Sequence, residues 1–120
     1  MAKRKPANPF HGRWTIEQMD QWDVEDEHEE LKPFIEFKSN DSGQFQFACV
    51  CGQMDCRLTQ REGEAAVEFS WDGNDETEHV FGRGWADLEG ERLNGIIFFH
   101  LGDESGFTAR RDVKKRGKRR

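Results

Sequence analysis

The sequence predicts an all-β domain, a small antiparallel up-and-down barrel of eight strands. Three observations carry this. Apolar and polar residues alternate with a period of two along most of the chain. Turn-forming clusters of Asn, Asp, Ser and Gly interrupt the alternation at short intervals. Aromatic residues are plentiful: ten Phe and four Trp mark a folded chain, although Leu, Ile, Val and Phe supply only 24 of 120 residues. Short connections make successive strands antiparallel neighbours. Closing the sheet removes its exposed edges. A two-sheet β-sandwich is the alternative. The length suits one domain, and no stretch approaches the roughly 18 apolar residues of a membrane span.

The elements follow in order. Gly12-Arg13-Trp14 opens the first strand, in which Trp14 and Ile16 alternate with Arg13, Thr15 and Glu17. After Trp22, residues 23–32 form an acidic segment, read as a loop or a short exposed helix. Ile35 and Phe37 mark the second strand, and Asn40-Asp41-Ser42-Gly43 a turn. Phe45, Phe47, Cys49 and Cys51 share one face of the third. Met54, Cys56 and Leu58 share a face of the fourth, which ends at the turn Arg61-Glu62-Gly63-Glu64. Val67, Phe69 and Trp71 define the fifth, closed by Asp72-Gly73-Asn74-Asp75. The sixth spans 81–88, with Gly82 and Gly84 as strand-bend glycines. The seventh spans 93–101 and is apolar on both faces. The last spans 106–111, with Phe107 and Ala109 on one side.

Charge divides the chain in three. Residues 1–13 carry +4, residues 14–109 carry −17, and residues 110–120 carry +7. The domain reading is a basic arm over 1–11, a barrel over 12–111 and a basic, disordered tail over 112–120. The acidic body repels nucleic acid and anionic membranes. Lys114, Lys115, Arg116, Lys118, Arg119 and Arg120 in the tail can contact phosphates weakly, without aromatic residues for base stacking. The basic start lacks a following apolar run, and three cysteines cannot all pair within one chain. Both features point to the reducing cytoplasm.

Two motifs carry a resemblance. Gly12-Arg13-Trp14 in the first strand, with Arg110-Arg111 in the last, resembles the calycin pattern of lipocalins and their relatives. The resemblance implies that Trp14 closes one barrel end beneath an arginine, either Arg110 or Arg111. Over residues 12–111 the chain also resembles a family of small, functionally uncharacterised bacterial proteins. The resemblance rests on Gly12-Arg13-Trp14, Val67–Trp71, Gly82–Ala86 and Phe99–Phe107. It implies no catalytic residue.

The chemistry-bearing clusters are modest. Cys49, Cys51 and Cys56 give three thiols where a structural zinc site wants four ligands, so they read as small hydrophobes. Glu25–Glu30 around His28 lacks metal-site spacing and reads as a solvated charge run. His100 beside Asp103 and Glu104 can form an acid–base pair, yet no nucleophile motif accompanies it. Gly82-x-Gly84 lacks the strand-to-helix context of a phosphate loop. The expectation is therefore a non-enzymatic barrel with no cofactor and no metal.

With Trp14 inward, the expected lining is aromatic and aliphatic and includes Cys49, Cys51 and Leu58. Gln18 and a terminal arginine are its few polar groups. Eight strands enclose an interior that side chains fill or that holds one small ligand. Two functions compete. One is binding of a small apolar or amphipathic molecule, with Trp14, Trp71, Trp85 and His100 as candidate contacts. The other is interaction with protein or nucleic acid through the acidic surface and basic tail.

Overall fold

The computed structural model describes residues 8–22 and 32–112. They form β1 (Gly12–Met19), β2 (Phe34–Phe37), β3 (Ser42–Phe47), β4 (Val50–Arg61), β5 (Glu64–Asp75), β6 (Glu78–Glu89), β7 (Arg92–Phe99) and β8 (Glu104–Arg111). Each strand pairs antiparallel with its successor, and β8 returns to β1, closing an up-and-down barrel. Among the described residues there is no helix long and apolar enough to cross a membrane.

Alternation sorts the side chains. Trp14, Ile35, Phe37, Phe45, Phe47, Met54, Val67, Phe69, Trp71, Leu93, Ile97 and Phe107 all fill the interior. Inward glycines make room for inward rings directly across the ladder: Phe45 pairs with Gly52, Phe69 with Gly84 and Phe107 with Gly95. A Cβ at those glycines would fall 2.5, 2.6 and 2.8 Å from the opposing ring. Alternating large and small residues lets a narrow barrel enclose so many aromatics. Gly82 serves differently: its Cβ would run into the Phe98 carbonyl, so the two strands approach closely there.

Five sequence expectations are corrected. First, the third strand ends at Phe47. Ala48 and Cys49 form a two-residue turn with Ala48 at φ 51°, and the inward position passes to Val50. Cys49 and Cys51 are therefore exposed, and only Cys56 is buried. Second, residues 72–75 lie inside β5; the turn is Glu76–Thr77, between the pair Asp75 and Glu78. Third, a register shift between Ile16 and Gln18 turns Gln18 outward and Met19 inward. Fourth, Leu58 is 45% exposed because it lies beyond Asp55, the last β4 residue paired with β3. Fifth, Phe10, assigned to the arm, is fully buried and meets Phe37 edge-on at 6.1 Å.

Candidate functional site

The barrel has two unlike ends. At the first, Gly12, Phe37 and Arg111 sit together through the pairings of β1 with β2 and β8. Trp14 points inward, 1% exposed, and its Nε1 donates to the Phe10 carbonyl at 2.9 Å. The Arg111 guanidinium lies over the Trp14 ring, 4.2 Å from its centroid. It donates to the carbonyls of His11 (2.7 Å) and Pro9 (2.9 Å). Arg110 faces away, with its Nε 3.1 Å from Glu17. The closing arginine is thus Arg111. Its fork ties the segment before β1 to the end of β8, and Phe10 plugs the space below. Gly12 sits at φ 120°, where a Cβ would press on Arg111 Nη1 at 2.8 Å. This end is built shut.

The opposite end carries the turns after β3, β5 and β7. Its inner walls are aromatic. Trp22, just past β1, packs on Phe47 (4.9 Å) and Phe99 (5.5 Å). One layer deeper, Trp71 meets Phe45 at 5.0 Å and Phe99 at 5.1 Å, both edge-on. Val50 and Val80 complete this wall. Trp71 is 4% exposed, and its Nε1 is a buried donor without an acceptor among the described residues. A buried, unsatisfied N–H costs about 1–3 kcal/mol, so a folded chain that keeps one calls for an explanation.

The remaining sequence candidates lie elsewhere. Trp85 stands on the outer face, where the Arg61 guanidinium covers it at 3.7 Å. It borders an open groove of about 530 Å³ with Arg57, Arg83 and Phe98. His100 is exposed and stacks on Phe81 at 4.7 Å, with His79 on the same ring at 5.7 Å. Neither Trp85 nor His100 faces the interior with Trp14 and Trp71. Among the described residues no group of His, Cys, Asp and Glu is arranged to hold a metal ion. Lys114, Lys115, Arg116, Lys118, Arg119 and Arg120, and the cluster Glu25–Glu30, lie outside the described residues.

Among the described residues two titrating groups are perturbed. Burial, helped by Asp55 and Asp41, pushes the Cys56 thiol up to about 12, so it stays protonated and unreactive. Burial lifts the Asp87 carboxyl above its ordinary range against the opposing pull of Arg61. Neither belongs to the aromatic end. The sequence marked Trp71 as inward, but an orphaned N–H depends on every neighbour in three dimensions and has no sequence signal.

Comparison with family models, curated proteins and solved structures yields no match.

Proposed function

We propose that the protein is a non-enzymatic binding barrel that holds one small, flat, apolar molecule at the end opposite the Trp14 closure. The single observation behind this reading is the Trp71 Nε1, buried without an acceptor among the described residues beneath the ring layer of Trp22, Phe47 and Phe99. A ligand carrying one hydrogen-bond acceptor recovers the cost of that N–H while its body stacks on the rings. Sites of this kind combine apolar walls with a few placed polar groups. Trp14 is then a structural residue, and Trp71 is the contact. The exposed thiols of Cys49 and Cys51 suit a reducing compartment, which supports a cytoplasmic location.

The test begins with native mass spectrometry of purified protein for a retained molecule. Titration with 2-(4-methoxyphenyl)ethanol follows, read at the tryptophan side-chain N–H signals by NMR. One indole signal should move far more than the others, and Trp71→Phe should remove that signal and weaken binding at least about fivefold, the loss of one hydrogen bond. Equal binding by the parent and Trp71→Phe, or no binding by either together with no retained molecule, would refute the reading.

A further inference from the structure

We infer that the closed end of the barrel is a second interaction surface, which takes the phosphate backbone of a double-stranded nucleic acid independently of sequence. It lies opposite the aromatic end and does not depend on the binding reading above. Arg110 of β8 pairs across the ladder with Arg92 of β7 on one side and with Thr15 of β1 on the other. Alternation turns Arg13, Arg92 and Arg110 outward, and all three are exposed. Two cations directly opposite each other repel, and a single carboxylate serves both: Glu17 lies 3.1 Å from Arg110 and 4.0 Å from Arg92. Arg13 reaches Glu36 at 3.7 Å and Asp112 at 3.6 Å. Exposed pairs of this kind are weak and give way readily to another anion.

The fold adds charge at this face that the sequence holds at opposite termini. The Arg111 fork holds the His11 and Pro9 carbonyls, and the Asp112 N–H donates to the Arg13 carbonyl at 2.9 Å. Residues 1–7 and 113–120 therefore join the barrel at one place. Between them they carry nine bases and no acid. The carboxylates of the closed end, Glu62, Glu64, Glu89 and Glu91, belong to the β4–β5 and β6–β7 hairpins. The opposite end is acidic: Asp75, Glu76, Glu78, Asp103 and Glu104 occupy its turns and strand ends, with no arginine or lysine among those positions. A molecule so polarised meets a polyanion with its basic end first. Guanidinium groups match phosphate oxygens with paired hydrogen bonds. Among the described residues the exposed large apolar side chains are Leu58, Phe81 and Leu101, and none lies on β1, β7 or β8. The face therefore offers no stacking platform for single strands and no apolar anchor for a membrane. Backbone contact with a duplex is the mode that suits it.

Fluorescence anisotropy of the full chain tests this with a labelled duplex of about 20 base pairs, roughly two helical turns. The duplex is made once as DNA and once as RNA, and the tighter of the two is the form this end takes. Affinity should fall at least about a hundredfold between about 50 and 200 mM salt, as for four or more neutralised phosphates, and should be equal for two unrelated sequences. Three full-chain variants should each weaken binding at least about threefold and flatten the salt dependence. They are Lys3→Gln with Arg4→Gln and Lys5→Gln; Lys114→Gln with Lys115→Gln and Arg116→Gln; and Arg92→Gln with Arg110→Gln. The first two lie outside the barrel strands, so they test the surface without touching the fold. Arg83→Gln removes one charge from the exposed outer face of β6 and should leave affinity within about twofold. No binding by the parent at low salt overturns the inference. So do arm and Arg92/Arg110 variants that bind like the parent, an equal loss with Arg83→Gln, or tighter binding to vesicles of phosphatidylserine and phosphatidylcholine than to either duplex at equal phosphate.

Discussion

Replacing Arg111 with alanine tests whether the closed end is held as described. The side chain contributes a cation over the Trp14 face, worth about 0.5–1 kcal/mol at an exposed site. Its two N–H groups reach the His11 and Pro9 carbonyls, at about 0.5–1.5 kcal/mol each, and exposure favours the low end. Ordering a long side chain offsets up to about 1 kcal/mol of the sum. The net loss for Arg111→Ala is then about 1–2 kcal/mol. In a domain of this size that corresponds to a fall in Tm of roughly 5–15 °C. Arg111→Lys keeps a charge near Trp14 but not the fork, and should lose about half as much. The neighbouring Arg110→Ala breaks only the exposed pair with Glu17, and should cost under about 0.5 kcal/mol. Urea unfolding at fixed slope gives these differences. A double-mutant cycle with Trp14→Phe should return coupling of about 0.5 kcal/mol or more. Equal losses for Arg110→Ala and Arg111→Ala, or a cycle that closes to zero, would refute this account of the closure.

Three further outcomes follow from the same packing. A thiol reagent at pH 8 should modify Cys49 and Cys51 rapidly and Cys56 only as fast as the barrel opens; three equally fast thiols would contradict its burial and its thiol at about 12. The native state binds the Asp87 proton more tightly than the unfolded chain does. This group's contribution to stability therefore grows as pH falls through its raised native value and levels off below the ordinary carboxylate range. Asp87→Asn should stabilise the protein at pH 7 and remove that acid-side gain, as pH-dependent urea unfolding can show. Ala48→Gly should stabilise by about 0.5 kcal/mol, because left-handed strain at φ 51° exceeds the entropy that glycine adds to the unfolded chain; a loss in thermal unfolding would place the strain elsewhere.

The barrel was legible because a period of two leaves little freedom once one face is buried. Trp14, Phe37, Phe45 and Trp71 could point only one way relative to their neighbours. The failures arose where two apolar residues were equally suited to the inward position. In Phe47-Ala48-Cys49-Val50, alternation alone favours Cys49 as the partner of Phe47. A two-residue turn hands the position to Val50 instead, and Ala48 in the left-handed region carries no turn signature. The reverse error occurred at Asp72-Gly73-Asn74-Asp75, whose composition says turn. In β5 the outward Asp72 and Asn74 are solvated, while Gly73 fits where a Cβ would strike the Cys51 carbonyl, so a strand satisfies every one of them. With the turn at 72–75, Asp75 belongs to a loop and Glu78 to no strand. With the turn at Glu76–Thr77, the two become a like-charged cross-strand pair at the end of the β5–β6 hairpin, with Glu78 exposed. Composition marks residues that can turn, but only the pairing of the two strands decides where the chain reverses.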